Sequence, residues 1–80
     1  KMARKKSEKV VFAFAGTAQA VYMEQCARKD NAPGRMIPLP REISAECGMA
    51  WCAPAEARGG LEQMAEKYGV EVEGVYELLL

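Results

Sequence analysis

Two short, uniformly apolar segments constrain the fold of this chain more than any other feature. KVVFAFAG (residues 9–16) is rich in β-branched and aromatic residues and ends at a glycine. GMAWCA (residues 48–53) is equally apolar and compact. Because both faces of each segment are apolar, they are typical of central strands that other elements cover. The chain has 80 residues, enough for one domain, so we predict two inner strands in a single core.

Two segments of helical character alternate with these strands. TAQAVYMEQCARKD (residues 17–30) has apolar residues at helical spacing, and Thr17 stands where an N-cap would lie. PAEARGGLEQMAEKYG (residues 54–69) predicts a second helix with Gly69 as its C-cap. A pair of glycines weakens its first turns, so we expect its regular part to start near residue 60.

The remaining apolar segments predict two further strands. RMIPLP (residues 35–40) is assigned to a sheet edge because a proline cannot donate to a ladder, and VEVEGVYELLL (residues 70–80) is the last strand. The resulting order, β-α-β-β-α-β, is that of the ferredoxin-like α+β fold. We predict a four-stranded antiparallel sheet of order 4-1-3-2 with two helices on one face. This single domain would span residues 9–80.

The charges balance overall but are unevenly distributed. Eleven lysine and arginine residues match eleven acidic ones, which argues against nucleic acid as a partner. The basic start KMARKK predicts a flexible N-terminus over residues 1–8. No apolar run is long enough to span a membrane, and no signal-peptide pattern is present, which favours a cytoplasmic location. The second half is acidic, with Glu56, Glu62, Glu66, Glu71, Glu73 and Glu77.

The three cysteines stand in different predicted environments. Cys26 is on the inner face of the first helix, and Cys52 is inside an inner strand, so we expect both to pack in the core, with a secondary thiol role left open for Cys52. On a continuous strand Cys47 and Cys52 would be roughly 16 Å apart, beyond the reach of a disulfide. The chain has no histidine, and the cysteine spacing is a poor zinc signature, so no metal and no cofactor are expected.

The predicted topology places the loop of residues 41–47 at the sheet end where the first helix begins. Cys47 would then lie near Thr17, where unpaired helix N–H groups stabilise an anion such as a thiolate. Arg41 would add positive charge, and Gly48 would leave room for a partner to approach. The alternative is that Cys47 is simply a small residue in a turn, and the local sequence leaves both interpretations open.

Alternation along the second inner strand divides its side chains between two faces. Met49 and Trp51 share one face, and Ala50 and Cys52 share the other. We expect one set to pack under the helices and the other to form a partly exposed patch for a partner or a homodimer.

The chain also resembles a known family through TAQA followed by IPLPREISAECGMA. It is similar to the small bacterial and archaeal proteins of unknown function described as selenium/sulfur carrier-like. The resemblance covers nearly the whole chain, and the segment from proline-arginine to cysteine-glycine is its specific part. It implies that Cys47 is the carrier cysteine, whereas Cys52 departs from the family pattern. The matching positions are Thr17, Glu24, Pro40, Arg41, Glu42, Ser44, Cys47 and Gly48.

The sequence therefore leaves two hypotheses for the function. The first is a relay in which Cys47 accepts sulfur or selenium from a donor protein and passes it to an acceptor enzyme. Arg41, Ser44 and Thr17 would support the site, and the chain would be a carrier more than a true enzyme. The second is a non-catalytic module of the same fold that binds a small ligand or a protein, with Cys47 incidental.

Overall fold

A computed structural model describes residues 7–43 and 48–80 of the chain. Six helices and strands are present in this described part, and a 3-10 turn, Ala55–Ala57, leads into the second helix. In chain order they are β1 (Glu8–Ala13), α1 (Thr17–Lys29), β2 (Arg35–Pro38), β3 (Met49–Pro54), α2 (Arg58–Tyr68) and β4 (Gly74–Leu79). None of the helices in this part of the chain is long and apolar enough to cross a membrane.

The four strands form one antiparallel sheet in the order β2-β3-β1-β4. This is the predicted order read from the other edge, so the α+β prediction and the sheet order are confirmed. In the register Ala13 pairs with Ala50, and Ala50 pairs with Ile37. The ends of β1 and β2 and the start of β3 therefore lie at one end of the sheet.

The main core lies between the sheet and both helices. Val10, Phe12 and Phe14 point to this side from β1 and the residues after it, and all three are fully buried. Trp51 joins the same cluster from β3, and Met49 packs against it. The prediction that these two residues share a face is confirmed, and that face is the one covered by the helices. The buried residues of the helices complete the cluster: Ala20, Met23, Cys26 and Ala27 from α1, and Leu61, Met64 and Ala65 from α2.

The opposite face of the sheet carries a second, smaller cluster. Val11 and Ala13 from β1 are fully buried there, together with Ala50 and Cys52 from β3. Ile43, from the chain after β2, packs on the same cluster. The patch expected at Ala50 and Cys52 is therefore buried and not exposed, because aliphatic side chains from both edge strands and Ile43 pack against it.

Several element boundaries differ from the sequence prediction. Gly16, with an extended backbone, is the N-cap of α1, so the assignment of that position to Thr17 was wrong. The regular part of α2 starts at Arg58 even though glycines follow it, because the preceding 3-10 turn already fixes the chain direction. Gly69 is confirmed as the C-cap, with a left-handed φ of 73°. The sheet also starts earlier than residue 9, since β1 begins at Glu8.

Candidate functional site

The two ends of the loop between β2 and β3 are held together by the backbone. The N–H of Leu39 donates to the carbonyl oxygen of Gly48 at 2.9 Å, which extends the β2–β3 pairing beyond the last strand residue. Within the loop, the N–H of Ile43 donates to the carbonyl oxygen of Pro40 at 3.0 Å and forms a turn. Backbone hydrogen bonds therefore hold the described residues on either side of the predicted site in place.

The predicted site residues fall into two groups. Ser44 and Cys47 lie outside the described residues. Arg41 and Gly48 flank them, and both are exposed to solvent. Within residues 7–43 and 48–80, Arg41 makes no ion pair, and a Cβ built on Gly48 would meet no atom closer than 4 Å. The described flanks of the loop are thus open to a partner, and the positive charge of Arg41 stands next to the negative charge of Glu42.

The first turn of α1 lacks a side-chain cap. Thr17 is exposed and is the first helical residue, and the carbonyl oxygen of Gly16 accepts bonds from the N–H groups of Gln19 and Ala20. The side chain of Gln19 is occupied elsewhere, because its Oε1 accepts the N–H of Glu71 at 2.8 Å. No acidic residue stands in the first turn. This leaves the partial positive charge of the helix start unneutralised by a local side chain.

The loop and the start of α1 share one end of the sheet, but the described part of the loop does not turn towards the helix. Ile43 is buried on the face of the sheet that the helices leave uncovered. The sequence analysis did not single out Ile43, although an isolated isoleucine in an otherwise polar loop is the signal that it packs somewhere. The sequence analysis predicted that residues 41–47 lie over Thr17. Up to Ile43, the chain does not take this path.

Cys52 is poorly suited to react as a thiolate. It is 6% exposed and belongs to the cluster on the helix-free face. Burial raises the pKa of its thiol, and the nearby cations Lys9 and Arg35 offset only part of this increase. The protonated thiol is a weak nucleophile, so the structure favours the packing role of Cys52 over a secondary thiol role.

Cys26 packs in the main core, as expected. It is 4% exposed and lies next to Tyr22, one turn earlier on α1. The hydroxyl of Tyr22 donates to the carbonyl oxygen of Tyr68 at 2.6 Å, and burial together with the neighbouring Cys26 raises the pKa of Tyr22. Both described cysteines are free thiols. Neither takes part in a metal cluster, and residues 7–43 and 48–80 hold no group of three or more potential metal ligands.

A polar cluster that the sequence analysis missed ties the C-terminal ends of the two helices together. The hydroxyl of Tyr68 donates to Oδ1 of Asp30 at 2.6 Å, and Nζ of Lys67 is 3.5 Å from Oδ2 of the same carboxylate. The hydrogen bond from Tyr68 is the main cause that lowers the pKa of Asp30, and Lys67 adds to it. No local sequence pattern could have indicated this contact, since Asp30 and Tyr68 are far apart in sequence.

These observations define a small α+β domain in which the loop between β2 and β3, exposed at Arg41 and Gly48, includes the cysteine singled out by sequence. The chain matches the family described as "Putative Se/S carrier protein-like" over residues 9–77. Since the match covers most of the chain, the protein belongs to this family, and the resemblance seen in the sequence is confirmed. No curated protein and no solved structure shows a significant match.

Proposed function

We propose that the protein is a sulfur or selenium carrier that uses Cys47 as its loading site. The observation that carries this proposal is the family match over residues 9–77, a span that includes the cysteine-glycine pair. The two other cysteines are buried, which leaves Cys47 as the candidate thiol for exchange with a partner. The exposed flanks at Arg41 and Gly48 support the same assignment.

Loading is a transfer of a sulfane sulfur between two thiols. The Cys47 thiolate attacks the outer sulfur of a donor persulfide, a new S–S bond forms, and the donor leaves as a thiolate. Cys47 then carries the terminal sulfur as a persulfide, and an acceptor removes it by the same exchange. With a donor that carries selenium the corresponding selenosulfide forms. No oxidant is consumed, and no general base is needed once the thiolate exists, which suits a chain without histidine.

The proposed partners are a donor protein and an acceptor enzyme, and the protein itself is a carrier more than an enzyme. We place the relay in the cytoplasm, where free thiols persist. Thr17, Arg41 and Ser44 are the proposed supporting residues: the helix start and the guanidinium favour the anionic form of the sulfur.

The experiment is loading by a cysteine desulfurase with cysteine as sulfur source, read by intact and peptide mass spectrometry. We expect one added sulfur atom on Cys47 that a reductant removes. A variant with Cys26→Ala and Cys52→Ala should load equally, and Cys47→Ser should not load at all. Sulfur distributed equally over the three cysteines, or none on Cys47, would sink the proposal.

The pKa of the Cys47 thiol separates the carrier from the alternative binding module. Alkylation of the double-alanine variant as a function of pH should give an apparent pKa below the ordinary value of about 8.5. An ordinary pKa and slow alkylation would favour a module in which the loop binds a ligand or a protein and the thiol is incidental.

A further inference from the structure

The two edges of the sheet differ in their capacity to accept another strand. β2 and β4 are the edge strands, and each has one neighbour in the described sheet. β2 is four residues long and contains Pro38, which has no N–H to offer. β4 has six residues, GVYELL, and no proline. Unpaired edges of this second kind readily pair with another extended chain.

The hydrogen-bond pattern shows which groups of β4 point outwards. Ser7 and Leu80 exchange two backbone hydrogen bonds, at 3.0 and 3.4 Å, just beyond the ends of β1 and β4. In an antiparallel pair hydrogen-bonded residues alternate, so the bonds of β4 to β1 fall on Tyr76 and Leu78. The N–H and C=O groups of Val75, Glu77 and Leu79 therefore point away from the sheet.

A groove of about 250 Å³ lies beside this edge, between α2 and the sheet. Its floor is apolar and is formed by Val70, Val72 and Val75 above the buried Phe12, and Glu62 and Glu66 line it from α2. A strand added to β4 would direct every second side chain towards this groove. Its other side chains would extend the helix-free face, next to Tyr76, which is 37% exposed.

The part of the chain that borders the groove has a negative net charge. Residues 58–79 carry five glutamates against two cations, Arg58 and Lys67. Arg58 is shared between Glu62 at 3.0 Å and Glu77 at 2.9 Å. Lys67 is turned towards α1, where it contacts Asp30, and so does not neutralise the groove. Glu66 makes no ion pair with another described residue, so its carboxylate is available to an incoming cation.

We propose that the edge of β4 and this groove form a docking site for an extended protein segment in which basic residues alternate with apolar ones. The main chain of the segment pairs with Val75, Glu77 and Leu79, as in other cases of strand addition. Its lysine or arginine stems lie over the valines, and their charged ends reach the glutamates of α2. The apolar residues pack beside Tyr76 on the other face.

The same charges disfavour a second copy of this chain as the occupant. Two β4 strands paired across a twofold axis would bring Glu62, Glu66 and Glu77 of both copies to one seam. Like charges placed opposite each other across strands are destabilising. A basic segment would instead be attracted by the same glutamates, so charge favours it over a second copy of the chain.

The test uses a labelled eight-residue peptide of alternating lysine and valine, with alternating glutamate and valine as the negative control. We expect fluorescence anisotropy to show salt-sensitive binding of the basic peptide only. Glu62→Gln combined with Glu66→Gln should weaken binding about fivefold to tenfold, since two partly exposed ion pairs are lost. Glu24→Gln combined with Glu56→Gln removes the same charge elsewhere and should leave the affinity unchanged.

Nuclear magnetic resonance locates the contact independently. The amides of Val75, Glu77 and Leu79 should shift and exchange more slowly when the peptide is bound. Binding without changes at these amides, or equal weakening by the two double variants, would overturn the proposal. So would a dimer through β4 that forms in preference to the peptide complex. The site does not depend on thiol chemistry, so Cys47→Ser should bind the peptide normally even where it abolishes loading.

Discussion

Nε1 of Trp51 donates a hydrogen bond to the carbonyl oxygen of Pro33 at 3.2 Å, and the next residue, Gly34, lies directly against the indole. Gly34 has a φ of 118°, a conformation that side chains rarely adopt. A Cβ built there would lie 2.7 Å from the carbonyl oxygen of Cys52 and 2.9 Å from Cε2 of Trp51. The glycine thus lets the turn after α1 close over the tryptophan of β3.

We expect Gly34→Ala to lower the free energy of unfolding by at least about 2 kcal/mol, since it adds backbone strain to a steric clash. Urea denaturation followed by circular dichroism measures this change. Gly48→Ala is the matched control, because a Cβ built there would meet no atom of the described residues within 4 Å. Its effect should stay within about 0.5 kcal/mol, and equal losses in the two variants would contradict the described turn.

Ile43 covers the buried cluster on the helix-free face, so its truncation should open that face. We expect Ile43→Ala to cost about 2 kcal/mol, at the low end for a buried isoleucine because the site lies in a loop. In the folded Ile43→Ala variant, the thiol of Cys52 should also be alkylated faster than in the wild-type protein, and peptide mass spectrometry can measure this rate. Arg41→Ala, at an exposed position of the same loop, should change neither quantity. Unchanged alkylation of Cys52 in Ile43→Ala would contradict this packing.

The Asp30–Tyr68 contact predicts a pH effect on stability. The pKa of Asp30 is lowered in the folded state, mainly by the hydrogen bond from Tyr68. Its contribution is therefore present above the unfolded pKa of about 3.9 and is lost as the pH falls through the lower folded value. Tyr68→Phe should raise the pKa of Asp30, measured by a titration of the carboxyl carbon. The free energy of unfolding should then fall less steeply as the pH is lowered. Tyr76→Phe removes a hydroxyl on the helix-free face of the sheet, opposite the helix whose C-cap is Asp30, and should leave the titration unchanged; a shift there would contradict the assignment.

The sheet was predictable because its signals are local. The apolar segments around Phe12 and Trp51 are read directly as inner strands, and prolines mark β2 as an edge. The helix-free face was not predictable in the same way. Its burial depends on Ile43, a residue outside any periodic element, and on the register that brings Ala13, Ala50 and Ile37 into line. Periodicity assigns a side chain to a face but does not say what covers that face.

The candidate site shows the same division between local and long-range information. The sequence alone shows the cysteine-glycine pair and the nearby charge of Arg41, but it does not show the path of the loop. A cap at Thr17 looked sound by residue type, yet Gly16 occupies that position because the extended chain leaving β1 turns one residue earlier. The acidic second half was visible in composition. Only the structure, through the Arg58–Glu77 ion pair and the groove lined by Glu62, Glu66 and Val75, shows that some of these charges lie beside an open strand edge.

Two glycines of the second helix should respond to alanine with opposite signs. Gly59 lies inside α2, is exposed, and has no atom within 4 Å of a built Cβ, so Gly59→Ala should stabilise the protein by about 0.5–1 kcal/mol through reduced backbone entropy of the unfolded chain. Gly69 has open space too, but its φ is 73°, so Gly69→Ala should destabilise by about 1–2 kcal/mol. Thermal unfolding of the two variants at one pH measures the contrast. Because space is available at both positions, only backbone conformation distinguishes them. A loss of stability in Gly59→Ala would mean that α2 does not begin at Arg58 in solution.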